Sequence, residues 1–155
     1  MKKEFMRAAI AESKRGMDNN EGGPFGAVIV KDGKIIGRGN NRVTSDNDPT
    51  AHAEVTAIRD ACSQLEHFDL NGCEIYTSCE PCPMCLAAIY WSRIDTIYYA
   101  NTKKDAADIN FDDAFFYDEL DKPIDERSIP MRQMMRDEAI SVFQAWANKE
   151  DKIPY

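Results

Sequence analysis

Two short segments of this chain carry side chains that bind metals and move protons: His52-Ala53-Glu54, and further on Cys82-Pro83-Met84-Cys85. Residues three apart on a helix share a face, so Cys82 and Cys85 can grip one ion. Residues two apart on a helix point to nearly opposite sides. His52 and Glu54 can therefore serve one site only at an irregular first turn, and Pro49-Thr50 marks such a helix start. A helix N-terminus is electropositive and lowers thiol pKa values, which prepares Cys82 and Cys85 to ionise around a metal. One imidazole and two thiolates suit Zn²⁺ and leave a fourth position for water, which a metal brings to ionisation near neutral pH. Glu54, as a carboxylate beside that position, is placed to take the proton and pass it on. A Cys-x-x-Cys pair by itself also fits a structural zinc site or a redox pair. Cys79-Glu80-Pro81-Cys82 is a second such pair, so spacing leaves Cys79 in competition as a ligand. A structural site gives no account of the glutamate, and the four residues together point to catalytic zinc.

The elements that must position these residues follow from periodicity and turn chemistry. Apolar residues at helical spacing predict a helix over 4–18, stopped by Asn19-Asn20 and Gly22-Gly23-Pro24. Phe25 to Lys31 reads as a strand, Asp32-Gly33 as a hairpin turn, and Lys34 to Gly39 as the returning strand. A polar loop over 40–49 leads to a helix from Pro49-Thr50 to about Leu65. Then come a strand over Cys73–Thr77, a helix bracketed at its start by Pro81 and Pro83 and ending near Arg93, and a strand over Thr96–Ala100. Lys104 to Leu120 reads as helical pieces around Asp112-Asp113, and Lys122 to Pro130 as loop. Met131 to Arg136 fits either a fifth strand or a helix start, and Glu138 to Ala147 is helical. Strands alternating with helices make an α/β layer fold.

Composition narrows the class. A chain of 155 residues with 43% hydrophobic and 30% charged residues is one ordinary globular domain. No apolar run reaches membrane-spanning length, the N-terminus lacks the apolar stretch of a signal peptide, and a cytoplasmic protein is expected. A net charge of -8 disfavours a protein built to grip a phosphate backbone and fits a small neutral substrate. The cysteines number five, an odd count, with Cys79, Cys82 and Cys85 clustered, which favours metal binding over a disulfide framework.

The signature H-x-E…P-C-x-x-C belongs to zinc nucleobase deaminases. On it, the sequence resembles the cytidine deaminase-like superfamily and, within it, guanine deaminases of the short bacterial type. The closer resemblance is carried by Gly22-Gly23-Pro24-Phe25-Gly26-Ala27-Val28-Ile29-Val30, by Asn47 through Arg59, by Tyr76 through Cys85, and by Phe111-Asp112-Asp113, Ile129-Pro130 and Phe143-Gln144-Ala145-Trp146. It implies a three-layer α/β/α sandwich with a five-stranded mixed sheet over a single domain, 1–155. It implies His52, Cys82 and Cys85 as zinc ligands, Glu54 as proton shuttle, and Cys79 as a buried non-ligand. The reaction implied is hydrolytic deamination of guanine to xanthine and ammonia, in purine catabolism.

The same resemblance favours four residues for the substrate pocket. Asn41 offers an amide to a purine edge, against the plain alternative of a turn residue. Phe25 stacks on the base or serves as strand core. Asp113 accepts from ring N–H groups or caps a helix. In this family the C-terminal segment, here about 138–155, is swapped between subunits and its last tyrosine, here Tyr155, helps close the partner's site; a homodimer is expected. His67 reads as solvated, Cys62, Cys73 and Trp91 as core, and Met131, Met134 and Met135 as core rather than a cofactor box. The rival readings are the same chemistry on guanosine, cytosine or tRNA adenosine, and, in another class, a non-catalytic zinc scaffold.

Overall fold

The computed structural model describes residues 2–155. They fall into two compact units, one running to Asp113 and the other spanning Ala114–Tyr155. No helix among them is long and apolar enough to cross a membrane.

The first unit opens with α1 (Lys3–Asp18) and the hairpin β1 (Gly26–Lys31) and β2 (Lys34–Asn40). Asp32 and Gly33 both take positive φ, 48° and 74°, as a tight hairpin turn of this sequence requires. After a short α2 (Val43–Asp46) come α3 (Ala53–Leu65), β3 (Cys73–Cys79), α4 (Pro83–Trp91), β4 (Thr96–Asn101) and α5 (Lys103–Ala107). The sheet order is β2-β1-β3-β4. β1 is antiparallel to both β2 and β3, while β3 and β4 are parallel, so the sheet is mixed as expected.

Strand alternation sorts the core into two layers. Val28, Val30 and Tyr76 face α1, packing with Phe5 and Ala9. Ala27, Ile29, Cys73 and Ile75 face the other way, toward Ala53, Ala57 and Ala61 of α3 and Ile89 of α4. Helices thus cover both faces, giving the expected α/β/α layering. The approach of α3 is close: a Cβ on Gly39 would lie 2.2 Å from the Ala53 carbonyl and 2.4 Å from the Ala57 nitrogen. The absent side chain lets the first turn of α3 rest on β2.

The sheet has four strands, not the five expected. Among the described residues nothing pairs with the far side of β4. The candidate fifth strand, Met131 to Arg136, joins no sheet: Met135 takes a φ of 53°, which leaves the extended region, and Arg136 starts a helix. Two smaller expectations also shift. The helix expected from Pro49-Thr50 begins at Ala53, because Asp48 Oδ1 accepts from both the Thr50 N–H (2.8 Å) and its hydroxyl (2.7 Å), which spends those residues in a turn. Trp91 is not core; it is 70% exposed at the end of α4.

The second unit holds α6 (Ala114–Asp121), a single 3₁₀ turn (Ile124–Glu126) and α7 (Arg136–Asn148). Glu119 organises its loop, accepting from the Ser128 N–H (2.7 Å), the Ser128 hydroxyl (2.9 Å) and Lys122 (2.5 Å). No residue of 114–155 is buried. Met131, Met134 and Met135, expected in a core, lie on the surface, as do Phe143 and Trp146.

Candidate active site

Two helix N-termini converge on His52, Glu54, Cys82 and Cys85. His52 is the N-cap of α3, with extended backbone (φ -71°, ψ 160°), and Cys82 is the N-cap of α4, in nearly the same conformation (φ -67°, ψ 168°). The irregular turn demanded by the His52–Glu54 spacing is therefore present. Pro83 at the first position of α4 presets the helical φ and gives up an N–H that had no partner there. Cys85 follows one turn later on the same face and is fully buried.

The imidazole Nδ1 of His52 lies 3.5 Å from Cys82 Sγ and 3.5 Å from Cys85 Sγ. The three donor atoms sit within 4.8 Å of one another. A tetrahedral ion with Zn–N and Zn–S bonds of ordinary length would set N···S edges at ~3.6 Å. The observed triangle matches a zinc site with one corner left to a non-protein ligand. Without an ion the two thiols share a proton. Cys85 donates to Cys82, which brings Cys82 down to about 4 and drives Cys85 upward.

Glu54, in the first turn of α3, is 6% exposed. Burial is the main cause holding its carboxyl above the ordinary range. Thr77 Oγ1 lies 3.2 Å from Glu54 Oε1. Sequence reading missed Thr77. Its signal is a polar residue in the apolar alternation Cys73, Ile75, Thr77, which a β-branched side chain disguises as strand filler.

Cys79 ends β3 and is buried, but its thiol points to the Thr102 carbonyl at 3.6 Å. Burial, then the Glu54 charge, push that thiol up to about 11. It therefore stays protonated, and it is outside the donor triangle. Cys62 is half-buried against the core, and Cys73 is fully buried. His67 is exposed, and its Nδ1 accepts from the Asp69 N–H at 2.9 Å.

The other candidate residues meet different fates. Asn41 is 6% exposed. Its Oδ1 accepts from the Gly23 N–H and the Val43 N–H, each at 3.2 Å, so the acceptor is spent on the loop and only the Nδ2 donor remains for a ligand. Phe25 is half-buried and packs edge-on against Phe111, with centroids 4.9 Å apart. The Asn41 N–H donates to the Phe25 carbonyl at 3.0 Å, tying the two candidates together. Asp113 feels the site: desolvation first, and the Cys82 charge after it, raise its carboxyl above the usual range. Tyr155 is exposed at the end of the second unit.

Comparison with known proteins agrees with this geometry. Residues 1–101 match the family described as the cytidine and deoxycytidylate deaminase zinc-binding region. Guanine deaminase of Bacillus subtilis is 55% identical over 97% of this chain and 97% of its own length. The crystal structure of guanine deaminase from that species superposes with a TM-score of 0.97 at 54% identity, covering 100% of this chain and 99% of that one. The tRNA-specific adenosine deaminase of Aquifex aeolicus is 44% identical, but over 66% of this chain and 68% of its own.

Proposed function

This chain belongs to the cytidine and deoxycytidylate deaminase family, and from that premise we propose that it is a zinc-dependent guanine deaminase, converting guanine and water to xanthine and ammonia. The observation that carries the choice of substrate is the reach of the similarity. The likeness to a guanine deaminase runs through the whole chain, whereas the likeness to a tRNA adenosine deaminase covers two-thirds of it. The acidic net charge of -8 points the same way, toward a small purine rather than a nucleic acid.

His52, Cys82 and Cys85 are the residues that would hold zinc. The ion supplies a polarised water at neutral pH. Glu54 would take one proton from that water and deliver it to a ring nitrogen as C2 is attacked. It would then take the second proton, from the new C2 hydroxyl that becomes the product carbonyl, and pass it to the departing amine, which leaves as ammonia. Its burial keeps the carboxylate out of bulk water and close to the proton it must move. Asn41 Nδ2 donates to an acceptor on the purine edge, Asp113 accepts from ring N–H groups, and Phe25 stacks on the base. The surroundings of Asp113, Phe111 and Phe25 support that reading, because they join an acceptor to an aromatic wall in one unit of the chain.

The protein is further inferred to act as a homodimer in which residues 138–155 exchange between subunits and Tyr155 closes the partner's pocket, so that the full chain works as one deaminase domain. The support is the second unit itself, where 114–155 leaves its aromatic and methionine side chains without burial. Five free cysteines support a reducing, cytoplasmic location.

Ammonia release from guanine, guanosine, cytosine, adenine and tRNA tests the substrate. Zinc-dependent turnover of guanine is expected, and turnover of guanosine with none of guanine would overturn the assignment. Glu54→Gln should keep one zinc per chain and lose at least 10²- to 10⁴-fold in kcat, measured by metal analysis and xanthine absorbance.

A further inference from the structure

We propose that Thr77 is a positioning residue for the reaction: its buried hydroxyl fixes one oxygen of the Glu54 carboxylate, so that the other is the oxygen that carries protons. The inference rests on the reading of Glu54 as the proton carrier. Thr77 Oγ1 lies 3.2 Å from Glu54 Oε1 and 3.1 Å from the Cys79 carbonyl oxygen. Thr77 is 1% exposed, so bulk water does not compete for its hydroxyl.

The backbone explains why Thr77 is the fixed partner and Glu54 the adjustable one. Thr77 sits inside β3, paired with Ala27 of β1 on one side and Tyr99 of β4 on the other. A strand held on both edges cannot shift its hydroxyl. Glu54 instead hangs from the first turn of α3 on a side chain with three rotatable bonds. Its other side-chain partner is the Cys85 thiol, which would give up its proton on holding zinc and leave Thr77 to fix the carboxylate. Without that anchor the carboxylate would sample several rotamers, and only some place an oxygen at the reacting atoms.

A purely structural account would have the hydroxyl serve only the Cys79 carbonyl. In that case the neighbouring carboxylate would be incidental. Valine has the shape of threonine, suits a strand, and sits well among Ile75 and Ile29. A hydroxyl in that row is explained by what it bonds. Its one proton is within reach of two acceptors, the Cys79 carbonyl at the end of β3 and the Glu54 carboxylate. When Glu54 carries a proton, its O–H can donate to the Thr77 oxygen while the Thr77 hydroxyl donates to the Cys79 carbonyl.

The test uses the full-length, zinc-loaded protein with Thr77→Val, Thr77→Ala and Thr77→Ser. Loss of the hydroxyl should lower kcat for guanine roughly ten- to hundred-fold, in the range of residues that orient reacting groups. KM, zinc content and thermal midpoint should stay near the parent values. Serine, which keeps the hydroxyl, should recover most of the rate. In a Glu54→Gln background, Thr77→Val should cause no further loss. A crystal structure of zinc-loaded Thr77→Val should show the Glu54 carboxylate turned from its parent position; if valine proves unstable, the alanine variant is read in its place. Parental kcat in both valine and alanine variants, serine as slow as valine, or an unmoved Glu54 would overturn the inference. If the parent chain fails to deaminate guanine, the proposed substrate falls, while the crystal structure still decides whether Thr77 holds Glu54.

Discussion

Cys79 and Cys82 are identical side chains three residues apart, yet one is a metal-ready thiol at about 4 and the other a protonated thiol at about 11. The difference is position in the backbone. Cys82 opens a helix, where the Cys85 thiol first, and then the His52 ring and the Cys85 backbone N–H, stabilise its anion, while Cys79 ends a buried strand beside a carboxylate. Cys79→Ser is therefore expected to retain one zinc per chain, whereas Cys85→Ser should lose it, both read by metal analysis after dialysis. Cys-x-x-Cys spacing is blind to this distinction, because both pairs fit the same pattern. His52, Glu54 and the Cys82–Cys85 pair were legible because their spacing makes sense only at helix starts. Thr77 was not, since its role depends on a partner that lies far off in sequence and beside it in space.

At the scale of elements, the site is as accurate as the seat of α3 on β2. Gly39→Ala would drive a methyl group into the Ala53 carbonyl and the Ala57 nitrogen, both backbone atoms that cannot turn aside. The expected cost is about 1–3 kcal/mol in a denaturant titration, with activity lost as His52 and Glu54 shift with the helix. β3 carries a second test. Tyr76 is buried between Phe5 and Tyr98 and donates to Glu74 Oε2 at 2.9 Å; burial first, and that bond after it, push its phenol from 10 up to about 12. Because the folded value lies above the unfolded one, the neutral phenol contributes stability in full below pH 10, and that contribution is lost as pH climbs toward 12. An alkaline absorbance titration should show a late phenolate step that is missing in Tyr76→Phe. The hairpin and the two ligand-bearing helices could be read from turn residues and prolines. The fifth strand could not be settled, because Met131 to Arg136 satisfies two periodicities and only the positive φ at Met135 decides between them.

The whole molecule presents a contrast between a first unit with a two-sided core and a second unit that buries nothing. The exposure of Phe143 (73%) and Met134 (77%) is what supports the proposed homodimer. Light scattering should therefore give about twice the 17.6 kDa chain mass, with a thermal midpoint that rises with protein concentration. Sequence patterning marked Glu138 to Ala147 as helical, in agreement with α7, but could not say whether its apolar residues are covered, since periodicity records spacing along one chain and not what lies against it. The open flank of β4 has its own consequence during synthesis. Residues 1–101 leave the ribosome first and contain every strand of the sheet, with Tyr99 half-exposed on the last one. At roughly 5–20 residues per second, the remaining 102–155 take seconds to follow. From the moment it forms, the outer edge of β4 offers any neighbouring nascent strand N–H and C=O groups that no strand among the described residues pairs with. Crowded polysomes are thus expected to favour edge-to-edge pairing of this chain, and slower initiation or added chaperone should raise its soluble yield.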